Sequence, residues 1–296
     1  MNQAALEKNN LIAFLLRTGL GTVFVIGGLN KLTLLLSQST HQGMVDNYMG
    51  TAGYINSFFQ EWLFAGDWMS PATFLTALST FELVSGIMLI AGILVRPLAL
   101  IYGFLLWTFV IALPVMTVPG ESISVKTYES PAILVQIRDI ALSGFMFVLF
   151  NLGAGRWSLD NRWQQPNGDM TEALGVLLRL SLAGLLVVAG LFAGMPKIQS
   201  YATPGWILFV TGVLIMFGPM AVQRFAGALV VAIMLWFMVN KLSVDKTIIG
   251  NLNGFKREFA TLTAGLIVVM YGAGVRYTLT DMVEKSRNYL LRYKVA

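Results

Sequence analysis

The chain has 296 residues, 56% of them hydrophobic and 12% charged, with a net charge of +5; a soluble domain of this length carries roughly a quarter charged residues. No block of the sequence gathers the positive charge into a soluble surface, so nucleic acid is excluded as a partner. With no cysteine and one histidine, disulfides, iron–sulfur clusters, thiolate metal sites and a bis-histidine haem are also excluded within the chain.

Eight apolar runs follow one another: Leu11–Leu36, Ala72–Val95, Leu98–Met116, Ala132–Leu152, Leu174–Met195, Gly205–Ala221, Phe225–Val239 and Phe259–Val275. Each is long enough, or nearly so, to cross a hydrocarbon core of about 30 Å. In lipid the backbone must satisfy its own hydrogen bonds, so these runs read as helices. Three are short of about 20 residues and need tilt or extension into their flanks. The first is too long for a signal-peptide core and lacks a small-residue cleavage site, so it reads as a retained helix.

Between the first two runs, Ser37–Ser70 is rich in aromatics (Tyr48, Tyr54, Phe58, Phe59, Trp62, Phe64, Trp68) and carries Asp46, Glu61 and Asp67 without a Lys or Arg. A reclining interfacial helix over Tyr54–Phe64 is expected there, and docking of a soluble partner is the alternative. His41 falls in this stretch and reads as a solvated loop residue. Pro114–Pro131 reads as a lid over the region of Glu82. Asn161–Thr171 is a polar connector, and Asp281–Ala296, with Lys285, Arg287, Arg292 and Lys294, reads as a basic interfacial helix. With the N-terminus inside, the larger share of Lys and Arg falls on the inner side. The positive-inside rule then predicts both termini in the cytoplasm and a multi-pass protein of a prokaryotic inner membrane.

The chain repeats itself. Leu16–Arg17 with Gly28 returns as Leu178–Arg179 with Gly190, and Gly92 with Arg96 returns as Gly218 with Arg224. Arg138–Asp139 followed by Gly153-Ala154-Gly155 returns at the same spacing as Arg257–Glu258 followed by Gly272-Ala273-Gly274. An even number of spans per copy makes the repeats parallel. The expected fold is therefore all-α and integral to the membrane, with about eight transmembrane helices in two tandem four-helix bundles. The units are residues 1–160 and 172–281, joined by 161–171 and followed by a basic tail, 282–296.

Intramembrane charges cost roughly 2.5–3.5 kcal/mol each at a helix centre on insertion scales, so each needs a reason. Lys31 lies near the outer end of the first helix, Glu82 roughly 15 Å and Arg138–Asp139 roughly 10 Å below the outer boundary at 1.5 Å per residue. Two readings stand. One is a buried ion-pair network, Glu82 with Lys31 or Arg138 and Asp139 with the remaining cation. The other is an outward-facing polar pocket for a quinone head or a small anion. The second copy keeps the pair as Arg257–Glu258, moves the lysine one turn on to Lys197, and has Val210 near the place of Glu82. The first copy is accordingly expected to carry the site and the second to brace it. The Gly-Ala-Gly elements allow close helix packing or a turn, and no Lys-Ser/Thr follows them as a phosphate loop requires.

Arg17-x-Gly19 through Gly28-x-x-Lys31, Phe81-Glu82 through Gly86, Gly92 and Arg96, and Arg138-Asp139 through Gly155-Arg156-Trp157-Ser158-Leu159-Asp160 resemble the DoxX family. The likeness is nearest to its DoxD type, the membrane subunit of thiosulfate:quinone oxidoreductase. The resemblance implies a quinone-interacting subunit of a respiratory complex, with extracytoplasmic or membrane protein partners beside the lipid. Glu82 or Asp139 would then take the proton role, Lys31 or Arg138 would polarise a carbonyl, and Tyr102 and Trp107 would pack the ring. No metal is called for. A non-catalytic scaffold of a larger complex and a small-anion transporter are the alternatives.

Overall fold

Apolar runs cut off from water close as helices. The computed structural model describes residues 3–49, 55–66, 68–113, 132–160, 170–194 and 196–295, and every regular element among them is helical. In chain order these are α1 (Gln3–Leu36), α2 (His41–Met49), α3 (Ser57–Phe64), α4 (Pro71–Ala91), α5 (Val95–Ala112) and α6 (Ala132–Leu152) in the first half. The second half holds α7 (Glu172–Leu191), α8 (Pro196–Gln199), α9 (Trp206–Phe217), α10 (Met220–Lys241), α11 (Ile248–Gly254), α12 (Glu258–Tyr271) and α13 (Leu279–Val295). The protein is an all-α, multi-pass membrane protein.

Six helices, α1, α4, α5, α6, α7 and α10, are long and apolar enough to cross a bilayer. The other two expected spans are shorter. α9 has 12 residues and α12 has 14, about 18 and 21 Å at 1.5 Å per residue. Gly218 and Pro219 stop α9 by turning extended, and Gly272, at φ 65°, stops α12. The seventh expected run grows instead: α10 has 22 residues. It takes in the polar Gln223, which can be buried because its amide donates to the Gly218 and Gly274 carbonyls and accepts from the Ala273 N–H.

In the first half α1 packs on α4 and α5 on α6; in the second, α7 packs on α9 and α10 on α12. The halves meet where α1 lies on α12 and α6 on α7, and one continuous apolar core runs through both. Without a hydrophobic drive between helices in lipid, small residues set these approaches. A Cβ on Gly28 would come within 2.6 Å of the Ser79 carbonyl and Leu83 amide of α4, and one on Gly190 within 2.5 Å of the Phe209 amide of α9. Between the halves, Gly19 leaves room for Thr263 and Gly144 for Ser181.

The Gly-Ala-Gly elements are turns. Gly153, Gly155, Gly272 and Gly274 all have positive φ, between 65° and 84°, a region only glycine enters freely. Each turn is held by a side chain from the start of its half: Asn10 accepts from the Arg156 N–H, and Glu172 from the Val275 and Arg276 N–H groups.

A helix falls where one was expected over Tyr54–Phe64, as α3 (Ser57–Phe64), and a further short helix, α2, precedes it; Tyr54 and Asp67 lie outside the described residues. His41 opens α2, its Nδ1 2.6 Å from the Leu35 carbonyl, and is not a loop residue. Asn56 caps α3, accepting from the Phe59 N–H, and its own amide donates to the Ala112 carbonyl at 2.9 Å, which ties α3 to the end of α5. The expected lid, Pro114–Pro131, and residues 161–169 of the connector lie outside the described residues.

Candidate functional site

The charged residues singled out in the sequence do meet others, but not as one closed group. Lys31 on α1 binds Glu82 on α4 at 2.6 Å, reaching both carboxylate oxygens. Arg138 and Asp139 turn to the other half of the chain. Arg138 donates to Glu258 at 2.8 Å and to the Tyr201 hydroxyl at 3.3 Å, while that hydroxyl donates to Glu258. Asp139 takes Arg257 as its partner at 3.2 Å through Oδ1. The expected pairing of Asp139 with a cation of its own half is therefore incorrect. Adjacent residues on α6 diverge, and the second half supplies the facing charges from the start of α12.

Where the Arg138–Asp139 pair lies seven residues into α6, Arg257 is the N-cap of α12 and Glu258 its first residue. The acidic side chain thus meets the free amide end of a helix, where negative charge is favoured. Lys197, on α8, places its ammonium 6.0 Å from the Phe237 ring centre and 3.5 Å from the Gly254 carbonyl. The residue facing α7 at the register of Glu82 is Leu208, because Phe209 meets Gly190 as Leu83 meets Gly28. Leu208 is buried, whereas Val210 is 40% exposed, so Val210 is not the counterpart of Glu82.

Two cavities border this network. One, of about 240 Å³, is apolar and lies between α1, α3, α4, α5 and α6. Phe24, Phe59, Trp62, Phe74 and Phe109 line it, and its polar end is made by Lys31, Glu82, Asp139, Lys256 and Arg257. Asp139 Oδ2 at that end is buried and has no hydrogen-bond partner. Gly27 keeps the polar end open: a Cβ there would stand 3.4 Å from both Glu82 Oε2 and Lys256 Nζ.

The second cavity, of about 330 Å³, is lined by basic residues and lies between the halves beside Lys31. The two share Lys31, Tyr48, Lys256 and Arg257 as a common wall. The second half is thus no mere brace, since it furnishes part of each cavity.

Two expected ring-packing residues lie elsewhere. Tyr102 is fully buried, stacked on Phe24 at 3.8 Å between ring centres with its hydroxyl 2.6 Å from Ser85 Oγ. Trp107 is 44% exposed on the rim of the bundle. The aromatics that do line the apolar cavity come from α1 to α5, elements separated in sequence and brought together by tertiary contacts. Lys256 was legible as part of a Lys256-Arg257-Glu258 triplet, but loop lysines carry no depth in a sequence. Among the described residues no three His, Asp or Glu side chains group as a metal site.

Residues 12–117, which take in most of α1 and all of α2 to α5, match the DoxX family model. The match includes Lys31 and Glu82 and stops short of Arg138, Asp139 and the second half. No curated protein matches the chain, and no solved structure matches it.

Proposed function

We propose that the protein is a quinone-binding membrane subunit of a respiratory redox complex, built from two tandem four-helix units. The observation that carries this reading is Asp139 Oδ2, a buried carboxylate oxygen without a partner, at the polar end of an aromatic-walled cavity of about 240 Å³. Small-molecule sites are concave, mostly apolar and fitted with a few convergent polar groups, at roughly 300–1,000 Å³. A cavity of about 240 Å³, somewhat below that range, suits a single substituted ring with its tail leading out among the helices, and is too small for a flavin or haem.

A quinone becomes a quinol by gaining two electrons and two protons. The electrons would come from a redox partner protein, since the chain offers no cysteine and one histidine to hold a centre of its own. Lys31 and Lys256, at the polar end, are donors for a carbonyl oxygen, and their positive charge favours the reduced, electron-rich ring. Asp139 takes a proton on its free oxygen and passes it to the ring oxygen. Glu82, held on both oxygens by Lys31, fixes that lysine and so positions the carbonyl. The partner would meet α3, where Phe58 and Trp62 are 75% and 71% exposed.

The test is quinone content and binding in the purified full-length protein in mild detergent. Wild type should retain or rebind about one quinone per chain, Asp139→Asn should bind with little change but lose quinone reduction once the electron-donating partner is supplied, and Glu82→Gln should bind more than tenfold more weakly. A correctly folded wild-type protein that binds no added quinone overturns the reading.

A further inference from the structure

The basic cavity carries more positive charge than its surroundings answer. Seven cationic side chains line it, Lys31, Arg138, Lys197, Lys241, Lys246, Lys256 and Arg257, against one carboxylate, Glu258. Three of these cations are matched: Lys31 by Glu82, Arg138 by Glu258 and Arg257 by Asp139. Lys197, Lys241, Lys246 and Lys256 have no carboxylate within salt-bridge distance among the described residues. Their ammonium groups find only neutral atoms, the Gly254 carbonyl for Lys197 and the Asn253 amide oxygen for Lys256.

Four lysines arrive here from three separate stretches of chain: α8, the end of α10 with the turn after it, and the segment leading into α12. Like charges facing one half-open space repel, and less so where water or a counter-charge fills it. Folding nevertheless gathers them. Asn251 fixes the turn that carries Lys246, donating to the Ser243 and Lys246 carbonyls and accepting from the Ser243 N–H. The turn that carries Lys246 is thus built by specific hydrogen bonds, and an anion among the four lysines would relieve their repulsion.

We propose that this chamber binds a small soluble anion carrying two or more negative charges, held between the two halves by Lys197, Lys241, Lys246 and Lys256. A monovalent ion would answer one of the four lysines and occupy a small part of the roughly 330 Å³. A multivalent anion of the size of pyrophosphate answers most of them, and the volume is on the scale of small-molecule sites. Because most of the lysines belong to the second half and the chamber also touches Asn30 and Lys31 of α1, the anion bridges the halves. The inference does not depend on a quinone occupying the neighbouring cavity.

The experiment uses the full-length protein in a neutral detergent, with pyrophosphate, sulfate and chloride compared at matched ionic strength by calorimetric titration and thermal unfolding. Pyrophosphate should bind saturably and raise the unfolding temperature, sulfate should do so more weakly, and chloride should have no saturable effect. Lys241→Gln/Lys246→Gln changes two side chains at the chamber's rim that do not line the apolar cavity. It should weaken pyrophosphate binding at least tenfold while leaving the protein in chloride as stable as wild type or more so, since repulsion is relieved. Absence of saturable binding by either multivalent anion to the wild type overturns the proposal, and so does equal affinity in the double variant. Should that variant fold poorly, Lys197→Gln alone gives the same comparison.

Discussion

Arg138 of α6 bonds to Glu258 of α12 at 2.8 Å, and the residue beside each completes a second pair in the reverse sense, Arg257 to Asp139 at 3.2 Å. The basic residue of either last long helix therefore takes the acid next to the other, the reciprocity of a two-fold, self-complementary interface. The glycine contacts obey the same relation, Gly19 of α1 against Thr263 of α12 and Gly144 of α6 against Ser181 of α7. A buried pair of this kind offers specificity of docking more than stability, because both charges have been taken out of water.

Removing one partner should therefore be far worse than removing both. Glu258→Leu leaves Arg138 buried without its counter-charge and should cost about 3–5 kcal/mol. Arg138→Met/Glu258→Leu should recover most of that loss. Unfolding in mixed micelles with increasing sodium dodecyl sulfate measures both. A double variant no more stable than the worse single one would show that the pair does not act as a unit.

Each of the eight apolar runs was legible as a helix because such runs have few other uses, although six of those helices are long and apolar enough to cross a bilayer, and the Gly-Ala-Gly elements marked the turns after α6 and α12. The limits of α9, α10 and α12 were not legible. Whether a helix takes in Gln223 or stops at Gly218 depends on carbonyls from another part of the chain that can satisfy the amide. At the site, Lys31, Glu82, Arg138 and Asp139 declared themselves by being charged within apolar runs. Lys31 and Glu82 were legible as partners, but the partners of Arg138 and Asp139 were not, since Glu258 and Arg257 stand at a helix start whose neighbour, α6, lies more than a hundred residues earlier. The aromatic wall was misassigned to Tyr102 and Trp107 for the same reason: the facing of a residue in a helix that is apolar all round has no sequence signal.

The paired glycines give a prediction on packing. Gly28→Ala places a methyl group 2.6 Å from backbone atoms of Ser79 and Leu83, and Gly190→Ala places one 2.5 Å from the backbone of Phe209. Backbone cannot rotate aside as a side chain can, so α1 must part from α4, or α7 from α9. Each variant should lose about 1–3 kcal/mol. Gly184→Ala, on α7 with nothing within 4 Å of its Cβ position, should be neutral or slightly stabilising through helix propensity. Thermal unfolding of the three in one detergent tests the contrast, which fails if Gly184→Ala is the most damaging.

Acid should loosen the start of α13 before it loosens the bundle. Asp281 is held below the usual carboxylate range, first by the Lys285 ammonium at 2.8 Å and then by the Tyr277 N–H at 2.7 Å. A carboxylate whose folded pKa is depressed contributes stability above its unfolded pKa, and that contribution is lost as pH falls through the folded value. The loss should therefore fall below about pH 4, the ordinary aspartate range, as increased amide exchange over 277–285. Lys285→Gln should shift that onset to higher pH, and high salt should do the same because the pair is exposed. An onset indifferent to both changes rules the pair out as its cause.

Arg17 and Arg179 supply the last prediction. Both are buried cations in the body of their helices α1 and α7, each 1% exposed, and neither faces a carboxylate at salt-bridge distance among the described residues. Arg17 donates to the Leu89 and Ile90 carbonyls in the last turn of α4 and to the Trp157 carbonyl in the turn after α6. Arg179 donates to Met216 in the last turn of α9 and to Arg276 in the turn after α12. A helix C-terminus leaves carbonyls without partners and concentrates negative potential there; one guanidinium answers both needs and fastens the turn to the helix. Lysine keeps the charge but lacks the planar fork that reaches two groups at once. Arg17→Lys and Arg179→Lys should therefore each lose stability, by about 1–3 kcal/mol for each buried carbonyl left without a donor. The loss should be local as well as global: amide exchange should accelerate at 91–95 and 156–160 in the first variant, and at 218–222 and 275–279 in the second. If lysine at either position restores wild-type exchange, charge alone holds these turns and the two-pronged contact is dispensable.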